Sequence, residues 1–180
     1  VESRGLGDVY KRQVTGSGNQ GITASVPVIR YAKHIGASDE RLYRALLVSD
    51  LVTIHQKTGI GRLSAYCGAV SAGCGAGAGI AYLLGGDYRA IAHTIVNAVA
   101  ILSGTICDAK PSCAAKIASA VEAGILGYYM YVNDQQFRGG DGIVAKGVEN
   151  TIRNVGLLAS QGMKQTDRVI LNIMTGDQCL

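Results

Sequence analysis

Apolar residues recur along this chain at intervals of three and four, and no alternating apolar–polar run exceeds four positions. A period near 3.6 marks helices and a period of 2 marks strands, so the pattern predicts helix after helix. Residues 15–25 (TGSGNQGITAS) are small, polar and glycine-rich and read as a loop. Ser25 would cap a helix with Pro27 in its first turn, where a missing N–H costs nothing; it runs to about Lys33 and stops at Gly36. Ser38, followed by Asp39 and Glu40, opens the next helix with acidic charge at the positive end of the dipole. Tyr43, Leu47, Leu51 and Ile54 fall on one face of it, the pattern of an amphipathic helix, and Gly59 and Gly61 end it.

Residues 63–86 carry no charge over 24 positions. The Gly-Ala run at 73–79 can be helical only if packed against neighbours, since each Gly costs about 1 kcal/mol relative to Ala. Asp87 caps another apolar helix that ends near Gly104. A turn with Cys107, Pro111 and Cys113 leads into a helix aligning Ile117, Val121, Ile125 and Tyr128, followed by a polar loop at 133–141. Val144, Val148, Ile152, Val155 and Ala159 make the clearest amphipathic helix, and a short last one covers 166–174. The expectation is an all-α fold: a single helical domain of about six to seven helices with Gly/Ala-rich central helices.

Composition narrows the function. Hydrophobic residues make up 48% and charged ones 17%, with no Trp, one Phe and 25 Gly, which suits close helix packing better than a β-sandwich. The net charge of +4 is scattered, which argues against a nucleic-acid partner. Segment 63–86 is long enough to span a membrane, but it is poor in bulky apolar residues and the next apolar stretch holds His93, Asn97 and Asp108, so no membrane partner is expected. Five cysteines without a secretory context read as reduced thiols, placing the protein in the cytoplasm. Residues 1–13 (VESRGLGDVYKRQ) look like translated adapter sequence, a non-native extension ahead of genuine protein that starts near Val14, inside a domain.

Cys67, Cys107 and Cys113 stand as C-x39-C-x5-C. Neither the short ferredoxin spacings nor paired CxxC knuckles occur, which disfavours an electron-transfer cluster or a zinc ribbon. Three separated thiolates suit a cubane cluster whose fourth iron lacks a cysteine and is an open Lewis acid; equally, buried Cys is common in cores. Cys74, two turns after Cys67, reads as a structural thiol, and Cys179 as a tail thiol.

RLSAYCGAVSAGCGAGAGIAYLLGG (62–86), ICDAKPSCAAK (106–116) and TGSGNQGITASVPVIRYA (15–32) closely resemble the bacterial L-cysteine desulfidase family, itself related to the alpha chain of iron–sulfur L-serine dehydratases. The resemblance covers essentially residues 14–174 and marks residues 14–180 as the C-terminal part of a serine dehydratase alpha-like catalytic domain. It implies a [4Fe-4S] cluster held by Cys67, Cys107 and Cys113, and a lyase converting a small amino-acid substrate, L-cysteine or L-serine, to pyruvate and ammonia. The family wording at the second and third cysteines is CDGAKxxC, whereas CDAKPSC here is one residue shorter.

Thr15, Ser17, Asn19 and Gln20, among glycines ahead of a helix, offer N–H groups and hydroxyls for a substrate carboxylate, and the loop resembles that of the related dehydratases. Lys57 and Arg62 flank TGIG just ahead of the first cluster cysteine and are candidates for anchoring carboxylate or balancing cluster charge. His55 is the one weak candidate for a base; His34 reads as solvated and His93 as a satisfied core residue. The family's proton-abstracting residues would lie in an N-terminal part of the same protein, the expected partner, so this piece alone is expected to be inactive. A homo-oligomer stays open. The competing reading is a helical structural or regulatory module that keeps the fold and has lost the cluster.

Overall fold

A computed structural model of the chain describes residues 14, 15, 17–61, 64–103, 105–108 and 113–176. These form seven helices and no strand: α1 (Gly18–His34), α2 (Asp39–Ile60), α3 (Gly68–Leu83), α4 (Tyr88–Ile101), α5 (Ala114–Val132), α6 (Val148–Leu157) and α7 (Lys164–Thr175), with one π turn (Leu158–Gly162) joining the last two. The expected all-α single domain is what the chain adopts. No described helix is long and apolar enough to cross a membrane. The adapter-like residues 1–13 lie outside the described residues, as do Arg62, Cys179 and residues 109–112 of the shortened cysteine loop.

The hub is α3, which packs against α1, α2, α4 and α5. Every residue from Ala69 to Ala81 is buried. The reason is the absence of side chain. A methyl group on Gly77 would meet the Cα of Gly124 on α5 at 2.6 Å, and one on Gly75 would stand 2.5 Å from the carbonyl oxygen of Ser49 on α2. Backbones this close recover in tertiary contact what glycine loses in intrinsic helix propensity.

That closeness overturns the amphipathic reading of α2. Tyr43, Leu47, Leu51 and Ile54 are exposed (62%, 60%, 63% and 44%), while Ala45, Ser49, Thr53, Gln56 and Ile60 form the buried face. Only small side chains fit beside Gly75 and Gly79, and the hydroxyls among them are bonded to carbonyls: Ser49 Oγ donates across to Ala24 of α1 at 2.7 Å and Thr53 Oγ1 to Ser49, one turn back, at 2.8 Å.

Other boundaries shift for local reasons. Ser17, not Ser25, caps α1, accepting from the Gln20 N–H, so Pro27 sits inside the helix and most of the expected loop is helical. Ser38 and Asp87 cap α2 and α4 as expected, accepting from Arg41 N–H and Ala90 N–H. On α5 the deepest positions are Ala120, Ala123, Gly124 and Gly127, with Ile117, Val121, Ile125 and Tyr128 only half-buried. Val144 is buried but precedes α6, which starts at Val148 after Gly147 in the left-handed region (φ 89°). The 133–147 loop is sewn to the helices by buried Asn97, whose Nδ2 donates to the Gly127 carbonyl and whose Oδ1 accepts from the Phe137 N–H.

Candidate functional site

The segments before α3 and after α4 meet in a short antiparallel bridge between Tyr66 and Ile106. Two backbone bonds make it: Cys67 N–H donates to the Thr105 carbonyl at 3.3 Å and Cys107 N–H to the Ala65 carbonyl at 2.6 Å. In an extended pair, residues flanking the opposed positions all project to the face away from them. Cys67 and Cys107, separated by 39 intervening residues, therefore share one face, diagonal to each other, and their thiols act on each other electrostatically.

Cys67 occupies the N-cap position of α3 with no side-chain cap bond, near enough to the Ala69 and Val70 N–H groups to feel them electrostatically. Burial pushes its thiol pKa up; those N–H groups and the Lys116 ammonium pull it down, and the Cys107 thiol adds to the rise. Lys57, near the C-terminus of α2, faces both thiols: desolvation lowers its pKa, while Cys107 and Cys67 pull it back up. Lys116, in the first turn of α5, donates to Asp108 Oδ1 at 2.7 Å and to the Ile106 carbonyl at 2.9 Å. The Asp108 bond is the main cause of its raised pKa, with both thiols adding to it. The Lys116 ammonium and the helix N–H groups thus offset only part of the burial that raises the Cys67 pKa.

Cys113 is the N-cap of α5, half-buried, and the Lys116 bonds tie that helix end back to residues 106–108. Among the described residues, however, no group of three or more Cys, His, Asp or Glu side chains is gathered tightly enough to hold a metal ion. The donor set suits an iron–sulfur group in kind, since thiolate is the ligand such clusters take, and two of the three expected ligands are side by side. Cys74 is fully buried in α3, its pKa pushed up to about 12 by burial, consistent with a structural thiol.

The Thr15–Gln20 segment reaches the same place. Gln20 is buried, and a methyl group on Gly68 would stand 2.7 Å from its Cδ. Thr15 Oγ1 donates to Gln20 Oε1 at 2.8 Å, and Ser17 Oγ caps the Gln20 N–H at 3.4 Å. Thr15 holds φ 55°, in the left-handed region, an unusual conformation for a β-branched residue, of the kind that clusters at ligand sites. Asn19 is exposed in the first turn of α1. The two expected halves of the site, thiols and polar cradle, meet at Gln20 and Gly68.

His55 does not point there. Its Nε2 lies 2.8 Å from Glu149 Oε2 in an exposed pair between α2 and α6. Two residues along a helix is about 200° of rotation, so His55 and Lys57 face nearly opposite ways. His34 is exposed, as expected. His93 is not a satisfied core residue: its Nδ1 is buried without a partner among the described residues, and its ring stacks on Tyr131 at 5.0 Å. Sequence reasoning missed Lys116, although its spacing, one helical turn past Cys113, was the available signal.

Comparison with known proteins shows the family of the chain. The serine dehydratase alpha chain family matches residues 13–172. A UPF0597 protein of Desulfitobacterium hafniense is 69% identical over 166 residues, covering 92% of this chain and 38% of its own length. UPF0597 proteins of Treponema denticola and Lachnoclostridium phytofermentans are 52% and 54% identical, over 91% and 89% of this chain and 38% and 39% of their own. The chain thus spans a little over a third of the length of these relatives. No solved structure matches it. With most of its length matched by one family and more than half of the aligned residues identical in these relatives, the chain belongs to the serine dehydratase alpha chain family.

Proposed function

We propose that this chain carries the cluster-binding part of a cytoplasmic lyase that eliminates sulfide from L-cysteine, or water from L-serine, giving pyruvate and ammonia. The observation that carries the reading is the shared face of Cys67 and Cys107, with Gln20 of the polar cradle lying against the next residue, Gly68. Cys67, Cys107 and Cys113 would hold a [4Fe-4S] group, which when bound supplies an open Lewis-acidic iron to ease departure of the β-heteroatom.

The chain's own residues do the rest. Lys57 and Lys116 balance the charge of the thiolates, a role that Arg62 would share. The hydroxyls and amides of Thr15, Ser17, Asn19 and Gln20 orient the substrate carboxylate. Removal of the α-proton and loss of sulfide or hydroxide leave aminoacrylate, which water hydrolyses to pyruvate and ammonia. The base belongs to sequence found in the longer relatives, a second chain or an N-terminal part, so this chain alone turns over no substrate. L-cysteine is favoured over L-serine by the AYCGAVSAG and TGSGNQG wording.

Anaerobic reconstitution with iron and sulfide tests the reading. A broad charge-transfer absorption that disappears on Cys67→Ala and on Cys107→Ala supports it. A folded chain that stays colourless supports a second reading, a helical module of the same fold without a cluster, which the shortened Cys107–Cys113 loop favours. In the protein with its missing part restored, sulfide release from L-cysteine against pyruvate from L-serine identifies the substrate.

A further inference from the structure

A second cavity lies away from the thiols, between α4, the 133–147 loop and the start of α6, with a volume of about 470 Å³, within the range of small-molecule sites. Two of its lining residues carry a buried polar atom with no hydrogen-bond partner among the described residues: His93 Nδ1 and Gln136 Oε1. Buried polar atoms are nearly always satisfied, so two orphans in one cavity mark a place where something else completes the bonding. The Gln136 amide nitrogen is directed elsewhere, 3.5 Å from Asp134 Oδ1, leaving the oxygen as an acceptor.

The charge of the lining is one-sided. Arg89, Arg138 and Lys146 contribute to it, no Asp or Glu does, and none of the three side chains has a carboxylate partner among the described residues. All three are exposed, which places them at the mouth, while Val96 and Val144 behind them are buried. A cationic rim, an apolar wall and an inner acceptor together describe a complementary ligand. It has an anionic head for the rim, a compact apolar body, and a hydrogen-bond donor at the far end for Gln136.

We infer that this cavity is a binding site for a compact hydroxy- or amino-substituted organic acid, gripped at its carboxylate by Arg89, Arg138 and Lys146 and at its donor group by Gln136. The site shares no residue with the thiol pocket, and its probes carry no α-amino group or β-heteroatom to engage the proposed reaction.

Titration calorimetry of the full chain with 4-hydroxybenzoate, benzoate and phenol tests it. 4-Hydroxybenzoate binds tightest; benzoate, without the donor, and phenol, without the carboxylate, each bind about tenfold or more weakly, the loss expected for one charged or buried hydrogen bond. Gln136→Leu brings 4-hydroxybenzoate down to the level of benzoate and leaves benzoate unchanged, as a double-mutant cycle requires. Should Gln136→Leu disturb the loop, Arg138→Ala with Lys146→Ala, both at exposed positions, lowers the affinity at least tenfold by itself. Cys67→Ser changes none of these values. Equal affinity for all three probes, or binding indifferent to the loss of Arg138 and Lys146, overturns the assignment.

Discussion

The side chain of Gln20 lies so close to Gly68 that no methyl group fits between them, and this contact joins the first helix of the fold to the residue beside Cys67. Gly68→Ala should therefore displace a side chain rather than the backbone. We expect a stability loss of under about 1 kcal/mol, since a flexible amide can move. Iron uptake should be retained, while KM for the amino acid in the complete enzyme rises at least tenfold. Steady-state kinetics beside cluster absorbance separate the two effects, and an unchanged KM would remove Gln20 from the cradle.

Lys116 holds the Ile106 carbonyl and Asp108 while lowering the pKa of Cys67. Lys116→Met should reduce iron incorporation during reconstitution, and Lys116→Arg should largely restore it, because both the charge and the donors return. Iron per chain, measured after desalting, is the readout.

Burial raises the pKa of Cys74 from an ordinary 9.0 to about 12. The folded chain then keeps a proton that the unfolded chain gives up above pH 9, so stability is full below that point and falls as pH rises toward 12. One such group contributes at most about 1.4 kcal/mol per pH unit. Urea midpoints from pH 8 to pH 11 should decline, and Cys74→Ala should flatten that decline relative to its own value at pH 8.

Leu47 and Leu51 are large, apolar and exposed. Leu47→Lys and Leu51→Lys should each leave the unfolding free energy of this chain within about 0.5 kcal/mol, the usual effect of a surface change. A loss above about 2 kcal/mol would show that this face is buried in solution.

Gly77→Ala has no such freedom, because its neighbour is the backbone of Gly124 rather than a movable side chain. Overpacking of this kind costs about 1–3 kcal/mol. Denaturant unfolding should show that loss, although alanine is intrinsically the better helix former by about 1 kcal/mol.

The sequence made the helices legible, together with the caps at Ser38 and Asp87 and the need of the 73–79 run for close neighbours, because periodicity and capping are local. It misled on which side of α2 faces inward. Hydrophobicity normally decides that, but here the small residues of α3 set the helix separation, and Leu47 is simply too large for the space that Ser49 fills. The sequence also singled out Cys67, Cys107, Lys57 and the Gln20 segment by their distinctive wording, and the fold brings these residues near one another. The His93 cavity was not legible, for it depends on pairings between remote segments that no spacing encodes, whereas Lys116 was overlooked although its place one turn past Cys113 signalled it. His55 drew notice by its nearness to Cys67 in sequence, which helical rotation undoes.

The bridge that aligns Cys67 with Cys107 is made entirely of main-chain atoms, with Ala65 and Thr105 contributing only their carbonyl oxygens. The bridge itself therefore asks nothing of the side chains at those two positions; Ala65 is held to a small residue by its burial in the core instead. A proline at either cysteine's position would instead delete one of the two N–H groups, so the sulfur atoms are registered by peptide geometry rather than by the residues that surround them.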